Sequence, residues 1–131
     1  MANASLTAPN LLQTLVRFVA SGGAATSAHW ATMIILMESG VSAMLATAMG
    51  ACLGLMVNYP AQHGWAFQSE KPHRSAFPRY LMGAVLSWLL NLALFGVFQA
   101  LDFPTVSAQI ATTALTAAFN FHLSRRFIFH D

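Results

Sequence analysis

The sequence predicts an all-α integral membrane fold: four transmembrane helices built as two repeated helical hairpins, with both termini on the cytoplasmic side. Three observations predict it. Four long stretches carry no formal charge: those between Arg17 and Glu38, Glu38 and Glu70, Arg79 and Asp102, and Asp102 and Arg125. Each is long enough for the roughly 20 residues that cross a bilayer core as a helix. Every lysine and arginine falls at an end of these stretches that one topology places on the same side. Only Glu38 and Asp102 mark the opposite side, so the positive-inside rule makes the basic side cytoplasmic. The third observation is a repeat at a gap-free offset of 62 residues, pairing Arg17 with Arg79, Asn58 with Asn120, Trp65 with Phe127 and Phe67 with Phe129.

The elements follow in order. Residues from Met1 to about Leu12 read as a loose polar arm. A first helix is expected over Val16–Met37, after Arg17 has set the charged edge. The short turn Glu38-Ser39-Gly40 returns the chain into a second helix, Val41–Gln62, because so brief a link forces an antiparallel pair. The segment from about His63 to Phe77 is polar, and Pro72 and Pro78 punctuate it as a loop. A third helix is expected over Pro78–Leu101. The turn Asp102-Phe103-Pro104 then leads into the fourth, Pro104–Ser124. The repeat units run over about 16–67 and 78–129, within one transmembrane domain spanning the 131 residues. Two helices per unit make the repeat parallel, related by an axis along the membrane normal.

Small residues recur every fourth position on the second and fourth helices: Ala46, Gly50 and Gly54, then Ala108, Thr112 and Thr116. This spacing lets backbones approach closely in lipid, within one chain or across a dimer.

Composition excludes several classes. Charged residues make up 8% and hydrophobic residues 56%. A soluble domain carries about three times that charge. The positive balance comes from few groups and fits topology and anionic headgroups, not nucleic acid. Cys52 is the single cysteine, so it forms no intrachain disulfide and reads as a small packing residue. Arg17 comes too late, and the run after it is too long, for a signal peptide. His63, His73, His122 and His130 show no metal-ligand spacing, so no metal and no cofactor is assigned. There is no nucleophile–base–acid set and no glycine-rich phosphate loop, which speaks against an enzyme and against an ATP-driven pump.

At the repeated ends the chain resembles the GtrA-like family of small four-span membrane proteins. The residues that carry the resemblance are Arg17-Phe18-Val19 with Gly22-Gly23, Asn58-Tyr59, and Trp65-Ala66-Phe67. The second half adds Arg79-Tyr80-Leu81, Asn91, Asn120-Phe121 and Arg125-Arg126-Phe127-Ile128-Phe129. The first half has Gln62-His63-Gly64 where the family pattern has asparagine and arginine, and Ser124 stands for asparagine in the second. The resemblance implies a multi-pass protein of the bacterial cytoplasmic (inner) membrane. Its implied role is to translocate, or flip, a polyprenyl-phosphate-linked monosaccharide for cell-envelope polysaccharide synthesis or modification.

On that footing the candidate residues each have two readings. Arg17, Arg79, Arg125 and Arg126 are topology signals that snorkel to headgroups, or they hold the lipid phosphate through the forked guanidinium. Trp65, Phe67, Phe127 and Phe129 form an interfacial aromatic belt or stack on a sugar. Asn58 and Asn120 make helix-to-helix or helix-to-loop hydrogen bonds, or bind headgroup oxygens. His29 and Asn91, equivalent by the offset and near mid-membrane, are hydrogen-bonded structural groups or mark a translocation path. For His29 the structural partners are Asn91, Ser87 or Thr26. The expected partners are a lipid-linked sugar, membrane lipids and a polyprenyl-phosphate glycosyltransferase. Four spans enclose little space for a sugar phosphate, so a homodimer or larger assembly is expected. The alternative role is a membrane anchor that recruits the glycosyltransferase. A small multidrug-type exporter needs a carboxylate inside its first helix, and none is there.

Overall fold

The computed structural model describes residues 9–130. Among them are four helices, α1 (Leu11–Glu38), α2 (Ala43–Pro60), α3 (His73–Ala100) and α4 (Thr105–Leu123), and no strand. α2 and α4 each run on into a π-helical end, Ala61–Ala66 and Ser124–Ile128. The chain divides into two compact units, Met1–Gln68 and Ser69–Asp131, each a helical hairpin.

In the first unit α1 begins at Leu11, more than a turn earlier than the expected Val16. Asn10 caps it: Gln13 N–H donates to Asn10 Oδ1 at 2.8 Å, and Asn10 N–H donates to Gln13 Oε1 at 3.2 Å. This reciprocal box satisfies donors that a bare helix start leaves unpaired. The expected arm therefore ends before Leu11, and its residues 1–8 lie outside the described residues. α1 ends in a Schellman turn, with Val41 N–H on Leu36 O and Gly40 N–H on Met37 O, both at 3.0 Å. Gly40 sits at φ +89°, a backbone conformation that glycine enters without steric cost.

The small-residue face of α2 is spent on α1. Ala46, Gly50 and Gly54 are buried. A Cβ built on Gly50 would lie 2.6 Å from both His29 Cδ2 and His29 O, and one on Gly54 would lie 3.1 Å from Ala25 O. The two backbones are in direct contact, so this stripe closes the hairpin within one chain. Cys52, expected as a packing residue, is exposed. With Thr32, Ala48, Met49, Leu53 and Met56 it lines an open apolar groove of about 390 Å³.

In the second unit α3 begins at His73, five residues before the expected start at Pro78. Pro72 is its N-cap, accepting from Ser75 N–H and Ala76 N–H at 2.9 Å. Pro78 falls inside the helix. Its missing N–H forfeits a single backbone bond in the second turn. The connection between the units shrinks accordingly, from about His63–Phe77 to residues 67–72. α3 ends in the same turn as α1, with Phe103 N–H on Phe98 O at 3.0 Å and Asp102 N–H on Gln99 O at 3.1 Å. Asp102 takes the left-handed position at φ +60°.

The helices present apolar side chains outward: Trp30 is 61% exposed, Met44 85%, Trp88 63% and Val106 71%. Contiguous exposure of this kind is disfavoured in water and natural in lipid. By length and composition, Ala43–Ala66 and His73–Ala100 are apolar enough to cross a membrane. α1 and α4 carry more serine, threonine, glutamine and histidine.

Candidate functional site

Each hairpin ends in the same construction. In place of the expected loop, the chain after α2 widens into a π turn, closed by Phe67 N–H donating to Gln62 O at 2.9 Å. After α4 the equivalent bond runs from Phe129 N–H to Ser124 O at 3.0 Å. The wider turn splits each aromatic pair. Trp65 and Phe127 face outward, 49% and 46% exposed, while Phe67 and Phe129 are buried at 3% and 1%. Phe67 packs edge-on against Phe18 at 6.0 Å between ring centroids, and Phe129 packs against Tyr80 at 6.4 Å. Trp65 and Phe127 thus present exposed rings at the two hairpin ends. Phe67 and Phe129, expected to face outward with them, are buried inside their own hairpins.

An arginine from the other helix locks each end. Arg17 Nη1 donates to Trp65 O at 3.2 Å, with its guanidinium carbon 5.7 Å from the centre of the Trp65 ring. Arg79 Nη1 donates to Phe127 O at 3.0 Å, 5.0 Å from the Phe127 ring centre. A cation here meets the negative end of the helix dipole and an orphan carbonyl at once. The ring adds a cation–π contact. Arg17 and Arg79 are therefore engaged in closing their hairpins.

Arg125 and Arg126 differ. They stand in the π turn that Arg79 grips, both are exposed, and no hydrogen bond or ion pair ties either to the described residues. Lys71 and Arg74 lie at this end of the second unit too, close to Glu70 in sequence. Lys71 Nζ donates to His130 O at 3.1 Å, and Ser69 Oγ donates to Phe129 O. Lys71, Glu70, Pro72, Phe129 and His130 line a shallow pocket of about 290 Å³. Sequence reading missed this capping role of Ser69 and Lys71. A lysine near helix-end carbonyls is a known signal, but here it arrives from a segment more than 50 residues away.

Asn58 Oδ1 accepts from Gln62 Nε2 at 3.1 Å, one turn on, so its bond is local and not between helices. Gln62 is 1% exposed and its Oε1 has no partner. Asn120, half-buried, makes no such bond because Ser124 replaces the glutamine. His29 is half-buried against Gly50, and its Nε2 has no hydrogen-bond partner among the described residues. Asn91 is half-buried on α3.

Fold and site together define a small helical membrane protein whose hairpins each end in an arginine-closed, aromatic-faced turn, one of them strongly basic. The chain belongs to the GtrA/DPMS family: the family's transmembrane domain matches residues 17–129, nearly its whole length. Membership ties it to lipid-linked sugar processes. No curated protein and no solved structure matches it.

Proposed function

We propose that the protein translocates a polyprenyl-phosphate-linked monosaccharide across the bacterial cytoplasmic membrane for cell-envelope polysaccharide synthesis or modification. One observation carries the reading: Arg125 and Arg126 stand exposed and without protein partners at the basic end of the second hairpin. Arginine offers a planar fork matched to phosphate oxygens. Two of them beside Arg79 and an exposed aromatic ring suit a phosphate that carries a sugar. The lipid tail stays in the bilayer while the headgroup moves.

In this reading all four helices span the membrane, and the basic ends lie in the cytoplasm by the positive-inside rule. Each hairpin enters and leaves on the same face, which makes the two units a parallel repeat. Arg17, Trp65, Asn58 and Asn120 frame the headgroup side, and His29 and Asn91 lie along its path. A homodimer enlarges the space available to a sugar phosphate, and a polyprenyl-phosphate glycosyltransferase is the natural partner.

The test is translocation of polyprenyl-phosphate monosaccharides in proteoliposomes, comparing the wild type with Arg125→Ala/Arg126→Ala. Transport by the wild type and its loss in the folded variant support the reading. Failure of the folded wild type across a panel of sugars sinks it in favour of a recruiting role.

A further inference from the structure

The stretch that leads into α3 is pinned to the end of the second hairpin. Ser69 Oγ donates to Phe129 O, Lys71 N–H donates to Ser69 Oγ at 3.2 Å, and Lys71 Nζ donates to His130 O at 3.1 Å. Pro72 O then accepts from Ser75 N–H and Ala76 N–H as α3 begins. Glu70 lies between these anchors, so its backbone is held on both sides. Its side chain is exposed, and no hydrogen bond or ion pair ties it to the described residues. The imidazole of His130 is equally unengaged by them.

An acid is out of keeping with these surroundings. Lys71, Arg74, Arg125 and Arg126 make this end basic, and among the described residues Glu70 is the one carboxylate there. It works against a bound phosphate, and Lys71 spends its ammonium on carbonyls instead of on the acid. By the 62-residue offset, Glu70 and Lys71 stand where the first half has Ala8 and Pro9, and Arg125 and Arg126 where it has His63 and Gly64. The N-caps Asn10 and Pro72 hold that register. The acid and the arginine pair are both peculiar to the second half, and they occur at the same end.

A cavity lies at the acid. Glu70, Lys71, Pro72, Phe129 and His130 line it, and its volume is about 290 Å³. That is close to the lower bound of about 300 Å³ for small-molecule pockets, a size for one ring and not for a chain of them. Helical rise is about 1.5 Å per residue, so Phe129 lies only about 5 Å along the axis from Arg126. A phosphate on the arginines and a sugar ring joined directly to it span that distance.

We infer that this pocket receives the sugar ring of the lipid-linked substrate, with Glu70 accepting from two adjacent ring hydroxyls. The inference rests on the lipid-linked-sugar reading and adds the place and chemistry of sugar recognition. A carboxylate has two acceptor oxygens and no donor, the complement of a vicinal diol. Its charge makes such bonds stronger than neutral ones. The exposed Pro72 offers a surface to the C–H face of the ring, and His130 a further donor or acceptor. A ring with its own carboxylate meets Glu70 as a like charge, so neutral hexoses are the class selected. Because Ser69 and Lys71 fix the segment beforehand, little ordering is left to be done on binding.

The test measures binding of bare polyprenyl phosphate and of polyprenyl phosphoglucose, phosphogalactose and phosphomannose to the wild type, Glu70→Gln and Glu70→Ala in nanodiscs. Melting temperature reports folding, which replacement of an exposed, unbonded side chain should leave unchanged. The wild type is expected to prefer one of the sugar forms over the bare lipid by about tenfold, the scale of one or two hydrogen bonds. Both variants lose the acid's repulsion of phosphate, which acts on every lipid alike and cancels in the ratio. Glu70→Ala is expected to abolish the preference, and Glu70→Gln, which keeps one acceptor oxygen, to retain part of it. A folded Glu70→Ala that keeps the full preference overturns the proposal. A wild type that binds all four lipids equally overturns it too and leaves the phosphate reading standing. A wild type that binds none of them removes the lipid-linked-sugar reading, and the assignment of the pocket falls with it.

Discussion

Replacing Gly50 by alanine tests how the first hairpin is closed. The added methyl would lie 2.6 Å from His29 Cδ2 and 2.6 Å from the His29 carbonyl oxygen. Ordinary contact requires about 3.5 Å, so each neighbour must retreat by roughly 0.9 Å. The imidazole can rotate, but the carbonyl belongs to α1, so the helix must shift to make room. Overpacking of this kind costs about 1–3 kcal/mol. Alanine returns up to about 1 kcal/mol through its better helix propensity. The net expectation is a loss of about 1–2 kcal/mol for Gly50→Ala. Gly22→Ala meets nothing within 4 Å and should be neutral or gain up to about 1 kcal/mol. Adding His29→Ala to Gly50→Ala removes only the ring clash and should recover less than the full loss. The assay is reversible unfolding in mixed detergent micelles, followed by helical circular dichroism. Stability equal to wild type in Gly50→Ala would refute the argument that the α1 backbone, and not a movable side chain, sets the seam.

Four further predictions rest on other contacts. Asn58→Leu strands the amide of Gln62, itself 1% exposed, and should cost about 1–3 kcal/mol; Asn58→Leu/Gln62→Leu should recover much of that in the same unfolding assay. Asp102→Gly relaxes the left-handed position that closes α3 and should stabilise by a few tenths to about 1 kcal/mol, read as a raised melting temperature. Arg79→Ala removes the bond to Phe127 O and should speed amide exchange of the π turn at Ser124–Ile128, with Arg79→Lys intermediate. Arg125→Ala/Arg126→Ala should leave the unfolding free energy within about 0.5 kcal/mol of wild type, as at unconstrained surface sites, while binding to anionic phospholipid vesicles falls.

The helices and their two tight turns were legible because charge, glycine and small-residue spacing act locally. The Asn10–Gln13 capping box was equally local and went unread, since Arg17 was taken as the edge of the helix. Pro78 misled for a physical reason. Proline disfavours a helix interior, yet here α3 has already begun at His73 and proceeds through it. The polar character of His63, Gly64 and Gln62 suggested a loop. Burial of Gln62 and Phe67 against α1 instead holds that stretch helical with a widened turn. Sequence named Arg17 and Arg79 as equivalent cations, but not that each would donate to a carbonyl 48 residues away. Such a contact depends on the crossing of two helices, which residue spacing alone does not encode.

The comparison of the hairpins separates what folding requires from what chemistry uses. Features present in both are those any such hairpin needs: a Schellman turn at Gly40 and at Asp102, an i→i+5 bond at Phe67 and at Phe129, and an arginine closing each end. Features present in one only are not demanded by the hairpin, because the other folds without them. Arg125 and Arg126 stand opposite His63 and Gly64. In lipid an exposed guanidinium pair is tolerated only near the interface. The unmatched pair lies at the end of the second hairpin. The division implies that arginine replacements at 17 and 79 act on stability in parallel, whereas those at 125 and 126 act on ligand binding alone. Equal loss of stability at all four positions would collapse the distinction and return the basic end to a purely structural role.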